Sequence, residues 1–397
     1  MTEKMGRGIV AAKDIPVGTL LMASRGVGVY QDEVGNKETG FVINYKDHVA
    51  FDHGSVKMVA LTNQDIKNTP VISKKLAALY YGEHDAADLS NFSVTEADLD
   101  NPPPLLSADR IRSIVKFNSF SDDGSPKRHG IWPLPSLANH DCFPNSTRFC
   151  IGEMMFIHSA TAIKAGQEIF LGYVPLDAPY PDRKKTLDAF SIPKCQCRLC
   201  DLDRQESQEG FAERARLSEH MNANYSKYIR NFDPTITPKM VEHIQAMKNT
   251  YKDPNRPLPI ALFHPITGLG LLHQAESNEK ALKTYLECLA ILGWKSFDAS
   301  ELKRTPANSK IANQTTTKFQ IKCPEFPLFY AGIDLFFHVA DHASKLGYTL
   351  LARKSIALSH LCANIFEGVS SQEQAIIQKA KRLDPHLLSF KDTIEFI

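Results

Sequence analysis

A chain of 397 residues, 43% hydrophobic and 23% charged, has a folding composition and more length than one ordinary core needs, which excludes wholesale disorder. Lysine plus arginine total 46 against 45 acidic residues, a formal net charge of +1, so the basic surplus of a protein that lives on nucleic-acid phosphates is absent and no direct nucleic-acid binding is expected. No apolar run reaches the length of a bilayer crossing, so no membrane span is expected either.

Residues 8–12 read as a strand, Lys13-Asp14-Ile15-Pro16-Val17-Gly18 as a turn, and 19–23 as the returning strand. A helical texture follows and predicts an insert over about 45–117, divided at Asn101-Pro102-Pro103-Pro104, where consecutive prolines stop a helix. Strand-like runs return over 147–173, with a turn at Lys164-Ala165-Gly166-Gln167. Residues 201–219 read as a polar connector, and 220–397 as an all-helical domain. Within it, Leu262-Phe263-His264 and Leu328-Phe329-Tyr330 each open a helix pair, at an offset of 66 residues. That offset is close to two tetratricopeptide periods of roughly 34 residues, although any two amphipathic helical hairpins also satisfy it.

The cysteines are Cys142, Cys150, Cys195, Cys197, Cys200, Cys288, Cys323 and Cys362. A secreted disulfide framework would be denser and would follow an apolar leader, so the pattern predicts a reducing compartment, cytoplasm or nucleus. Cys195-Gln-Cys197-Arg-Leu-Cys200 places three thiols in one short loop. A structural zinc site takes four tetrahedral ligands, and Cys142, inside Asn139-His140-Asp141-Cys142-Phe143-Pro144-Asn145, is the leading candidate for the fourth. The isolated cysteines sit in apolar surroundings, where a thiol packs as a small hydrophobe.

Four signals thus stand in order: Gly6-Arg7-Gly8 before a strand, the Asn139–Asn145 segment, Gly166-Gln167-Glu168-Ile169-Phe170-Leu171-Gly172-Tyr173, and the cysteine loop. Together they resemble a SET domain with a post-SET zinc knot. The helical insert and tail are similar to those of the SET-and-MYND lysine methyltransferases and of fungal SET proteins with tetratricopeptide-like tails. The MYND zinc module itself is missing, since residues 25–110 contain no cysteine.

The resemblance implies an α+β chain: a β-rich SET domain over 1–200 with the helical insert, a post-SET segment over 190–200, and the helical C-terminal domain beyond. It implies methyl transfer from S-adenosylmethionine to a lysine side chain of a protein substrate, by a monomer. It assigns catalysis to Tyr173, cofactor binding to Gly6, Arg7, Gly8, Asn118, Ser119, Asn139, His140 and Phe190, and structural zinc to Cys142, Cys195, Cys197 and Cys200. Glycines without a Cβ let a backbone approach a ligand, and methyl transfer needs an in-line approach in a dry channel, so the residue types agree with these roles.

The sequence departs from the family at Met5, where relatives often carry a basic residue, and at Asp141, where serine is usual. It also lacks the aromatic just before the first post-SET cysteine: Ser191, Ile192, Pro193 and Lys194 stand there, and Phe190 is the nearest ring. These departures leave two other readings open. One is a SET-like S-adenosylmethionine enzyme acting on a small molecule; the other is a non-catalytic scaffold that binds peptides.

Overall fold

The computed structural model describes residues 7–32, 41–44, 49–82, 92–101, 103–121, 127–294, 297, 301–304, 314–321, 330–367 and 391–396. In chain order, β1 (Ile9–Val10), β2 (Leu20–Arg25), β3 (Val27–Gln31), β4 (Phe41–Asn44) and β5 (Val49–Asp52) lead into α1 (His53–Asn68), α2 (Ile72–Ala77), α3 (Glu96–Asp100) and α4 (Ala108–Asn118). Then come β6 (Ser119–Ser121), β7 (Arg128–Ile131), β8 (Asn139–His140), β9 (Ser146–Ile151), β10 (Met154–Ser159) and β11 (Glu168–Leu171). The later helices are α5 (Tyr180–Ala189), α6 (Arg198–Asp203), α7 (Gln208–Asn224), α8 (Ser226–Arg230), α9 (Thr237–Lys248), α10 (Phe263–His273) and α11 (Asn278–Ile291). Strand β12 (Lys318–Ile321), helices α12 (Gly332–Lys345) and α13 (Thr349–Glu367) and strand β13 (Thr393–Phe396) close the order. Two units emerge: residues 1–10, 20–139 and 148–157 in the first, and 11–19, 140–147 and 158–397 in the second. This division runs through the strand-rich half.

In the first unit, β3, β7 and β6 form an antiparallel sheet in the order β3-β7-β6, with Tyr30 and Ser121 both opposite His129. Helix α4 shows why this region folds. Ser107 accepts the Arg110 N–H as N-cap, and Ile111, Ile114, Val115 and Asn118 recur on one buried face at helical spacing. That face joins Val27, Met58, Ile66, Leu76, Leu79 and Ile131 in one core. At Gly28 the backbone has φ +63°, and its N–H donates to Asp65 on α1 at 2.7 Å. A Cβ there would stand 2.2 Å from Thr62 Oγ1 and 2.9 Å from the Met58 carbonyl, so the strand approaches the helix more closely than any side chain allows.

The second unit is held by two helical hairpins, α10 with α11 and α12 with α13, in agreement with the expected helix pairs. Gly270 lets α10 lie against the Tyr285 ring, which a Cβ would meet at 2.7 Å. The unit is not wholly helical: β12 and β13 pair in parallel, Phe319 opposite Ile394. Buried Arg353 holds Asp392 through two nitrogens, at 2.8 and 2.6 Å, while the Thr317 N–H also donates to Asp392 at 2.7 Å.

Two other expectations need correction. The helical insert was expected from about residue 45; β5 pairs with β4 over 49–52, and helix begins only at His53. Residues 45–48, 83–91 and 102 of the insert, and Leu328 and Phe329 of the second repeat, lie outside the described residues. The polar connector over 201–219 is largely helical, in α6 and α7: Ser207 caps α7 by accepting the Gly210 N–H, and Gly210, Arg214, Leu217 and Met221 form its buried face. Arg183, near the start of α5, is buried against Asp203 and the Ala178 carbonyl. Among the described residues, no helix is long and apolar enough to cross a membrane.

Gly28→Ala should lower unfolding stability by on the order of 2–4 kcal/mol in denaturant titrations, since left-handed strain and a clash with backbone act together. A second expectation concerns acid. Burial pushes the His342 imidazole down to about 4, and its Nδ1 lies 2.9 Å from Asn278 Oδ1. The neutral ring is the folded form, so its contribution is complete above the ordinary pKa of 6.5 and is lost as pH falls toward 4. Equilibrium unfolding at pH 7 and pH 4.5 should show wild type losing more stability than His342→Gln, by up to about 3 kcal/mol.

Candidate functional site

Strand β11 ends at Leu171, and two residues later comes Tyr173. The backbone leading to it is fixed by the 139–147 segment. Asn145 acts like a strand neighbour: its Nδ2 donates to the Glu168 carbonyl and its Oδ1 accepts the Phe170 N–H, both at 2.8 Å. Ser146 Oγ donates to the Phe170 carbonyl, and the Asp141 N–H to the Leu171 carbonyl at 3.1 Å. Asn145 stands in the sequence motif without an expected role; its neighbour Pro144, which fixes the turn, was the available signal.

His140 joins Tyr173 to the sulfurs. Its Nδ1 accepts the Tyr173 backbone N–H at 3.0 Å, which leaves the proton on Nε2, 3.2 Å from Cys142 Sγ. The ring is buried and lies 5.2 Å from the Tyr173 ring, tilted by 40°. Both nitrogens are thus spent inside the protein. His140 was expected at the cofactor through the resemblance; its side chain is turned to the sulfur cluster and the Tyr173 backbone.

Phe190 packs edge-on against Tyr173 at 5.8 Å, from the C-terminus of α5. The chain leaves that helix by a Schellman turn, with Ser191 N–H donating to Asp188 and Ile192 N–H to Leu187. Ser191 sits at φ +60°, where glycine is usual. The aromatic missing from the following residues is therefore matched by a ring that this turn holds beside Tyr173.

The sulfurs of Cys142, Cys195, Cys197 and Cys200 are buried and lie within 4.8 Å of one another, with Cys142 and Cys200 at 3.5 Å. Zinc–sulfur bonds of about 2.3 Å in a tetrahedron put sulfurs about 3.8 Å apart, so the donor set fits zinc in chemistry and dimension. Cys197 caps α6 and accepts the Cys200 N–H at 3.3 Å. Hydrogen bonds among the thiols pull Cys195 toward thiolate and hold Cys142 protonated, a competition that a divalent cation resolves by displacing the protons. Burial opposes the Arg183 charge, but Asp203 outweighs it by its charge and its hydrogen bond. Asp141, at the family's serine position, is pushed up to about 6 by burial, while its Oδ1 accepts the Phe143 N–H at 2.6 Å.

The remaining expected ligand residues belong to the first unit. Asn139 Nδ2 donates to the Arg7 carbonyl at 2.6 Å, which holds the Arg7-Gly8 backbone beside residue 139. The Arg7 guanidinium donates to the Ala78 carbonyl at 2.6 Å. Asn118 is buried and gives its amide hydrogens to the Tyr80 and Ile114 carbonyls, at 2.7 and 2.8 Å, and so fastens the end of α4. Ser119 is the C-cap of that helix. Gly6 lies outside the described residues. Sequence reasoning missed Arg110, whose Nη2 donates to the Ala77 carbonyl at 2.8 Å and whose guanidinium stacks 3.9 Å from the Tyr81 ring.

Residues 6–174 match the SET domain family. A fungal protein named methyltransferase, from Gibberella zeae, is 23% identical over 291 residues, covering 60% of this chain and 38% of the relative. Histone-lysine N-methyltransferase ASHR2 of Arabidopsis thaliana is 29% identical over 127 residues, 30% of this chain and 32% of its own. Human N-lysine methyltransferase SMYD2 is 27% identical over 153 residues, 37% and 33% of the two chains. The chain spans roughly a third of the length of these relatives.

Protein purified under reducing conditions should carry one zinc per chain by elemental analysis. His140→Phe, which removes the hydrogen bond to Cys142, should weaken zinc about 10- to 100-fold in competition with a chromophoric chelator. The chain thus carries a SET domain followed by a zinc-capable cysteine knot and a helical C-terminal region, and it resembles the SET-and-MYND lysine methyltransferases.

Proposed function

We propose that this protein transfers a methyl group from S-adenosylmethionine to the ε-amine of a lysine presented by a protein substrate. The observation that carries the reading is the fixed setting of Tyr173. Its backbone is held by His140, which is itself tied to Cys142, and its ring lies between His140 and Phe190. A phenol so held is pre-oriented, which is what electrostatic assistance at a reacting centre requires. Bound S-adenosylmethionine supplies an electrophilic methyl on a sulfonium.

In this reading Tyr173 orients the methyl and lines the path of the incoming amine. The substrate lysine arrives as a neutral amine, because a narrow dry channel lowers its pKa. With the donor bound, its methyl would pass to the amine nitrogen, the bonding pair would stay on the donor sulfur, and one proton would leave to solvent. Arg7, Gly8, Ser119 and Asn139 are assigned to the cofactor by resemblance. Asn118 and His140 are assigned to it by the same resemblance, with their side-chain donors turned to the Tyr80 and Ile114 carbonyls and to Cys142. The reduced thiols of the knot suit the cytoplasm or nucleus.

Tyr173→Phe should lower turnover about 10²- to 10³-fold and leave S-adenosylmethionine affinity within threefold by calorimetry. Full activity in this variant would remove the assignment. Labelled S-adenosylmethionine incubated with whole-cell extract separates protein from small-molecule acceptors by the fraction that takes up the label.

A further inference from the structure

A second cluster of reactive side chains lies wholly within the first unit, on the sheet β3-β7-β6. Ser121 on β6 and Tyr30 on β3 both stand opposite His129 on β7, and side chains paired across adjacent strands meet. Ser121 Oγ lies 2.8 Å from His129 Nδ1. His129 Nε2 lies 3.2 Å from Oδ2 of Asp32, the residue that follows β3. The Asp32 N–H donates to the Lys127 carbonyl at 2.8 Å, which keeps the chain in register just past the strand end. The Tyr30 ring stacks on the imidazole at 4.9 Å and 16°, and so fixes its plane.

One arrangement of protons satisfies all three groups. A carboxylate only accepts, so Nε2 carries the ring proton and donates it to Asp32, and Nδ1 offers its lone pair to the Ser121 hydroxyl. A hydroxyl that donates to a neutral imidazole, whose far nitrogen is held by a carboxylate, is an activated nucleophile. The two ring nitrogens exchange places relative to the usual serine triad, and the proton path is the same. Ser121 and Asp32 are exposed and the His129 side chain keeps 20% of its surface, so an acyl group arriving from solvent reaches the hydroxyl. Arg148 extends Nη2 to 3.5 Å from the Ser121 carbonyl, and Lys57 Nζ lies 5.2 Å from the Tyr30 ring centroid. These cations give the face a positive potential, which favours a leaving group that departs as an anion. A hydroxyl presented on a sheet face suits a short acyl group rather than a long chain, which needs an enclosed pocket.

We propose that Ser121, His129 and Asp32 form a hydrolytic site for short activated acyl esters, with Ser121 as nucleophile, His129 as general base and acid, and Asp32 as the positioning residue. The bond from Ser121 Oγ to the acyl carbon forms as the bond to the leaving oxygen breaks. The hydroxyl proton passes to His129 Nδ1 and then to that oxygen. Water attacks the acyl-serine by the same path, releases the carboxylic acid and restores Ser121. This chemistry is independent of methyl transfer.

The test treats the full-length protein with a fluorophosphonate and, separately, with p-nitrophenyl acetate. Peptide mass spectrometry should place one fluorophosphonate adduct on Ser121. Release of p-nitrophenolate should fall at least about 100-fold in Ser121→Ala and in His129→Gln. Asp32→Asn should lower kcat at least about tenfold with KM held within twofold, and Asp32→Glu should restore part of the loss. The adduct is mapped on the wild-type protein, so it decides the matter whether or not a variant folds. No adduct, adducts only at other residues, or undiminished release in Ser121→Ala overturns the proposal.

Discussion

Four buried thiols within 4.8 Å of one another make a donor set that fits a single zinc ion, and the strand-rich part of the second unit is arranged around that cluster. Cys142 comes from a segment whose other side chains grip β11, so whatever fixes the sulfur also fixes the strand end that carries Tyr173. Cys197 begins a helix, and Asp203 at the end of that helix receives Arg183. One imidazole with a single assigned proton reaches from the sulfurs to the tyrosine backbone. Disturbing the knot therefore disturbs Tyr173 through His140.

In the first unit the polar side chains meet at the end of α2. Arg7, Arg110 and Asn118 each donate to a carbonyl between Ala77 and Tyr80, which satisfies groups that a helix end leaves open. Asn139 then fastens the Arg7 backbone. Arg7, Asn118 and Asn139 look from the sequence like ligand contacts because their motifs match those of the resembled family. Much of their hydrogen bonding goes to shaping the backbone.

The cysteine cluster was legible because thiols crowded into so short a loop rarely serve packing alone, and Cys142 was reachable because it sits in a motif with Asn139 and His140. Helix α4 was legible from its period, and the turn around Gly166 from its glycine, which has φ +82°. Helix α7 was hidden because Arg214 occupies a buried position that pattern reading reserves for apolar residues. Strands β12 and β13 were hidden for another reason. Residues 318–321 and 393–396 are short and far apart in the chain, and only their pairing makes them strands. The place of Phe190 was out of reach as well, because a serine in a left-handed turn gives no signal in a sequence.

That parallel pair sets an order on how the chain acquires its shape during synthesis. Arg353, with no exposed side-chain surface, is made well before Asp392, the carboxylate that grips it from both sides. While a ribosome is still translating the stretch between them, the guanidinium lacks that counter-ion, and β12 lacks the strand it lies beside. The hairpin of α12 and α13 can form locally in that interval, but the seat around Arg353 cannot close. Nascent chains halted before residue 392 would thus be open to proteases at this seat, and release beyond residue 396 would shut it.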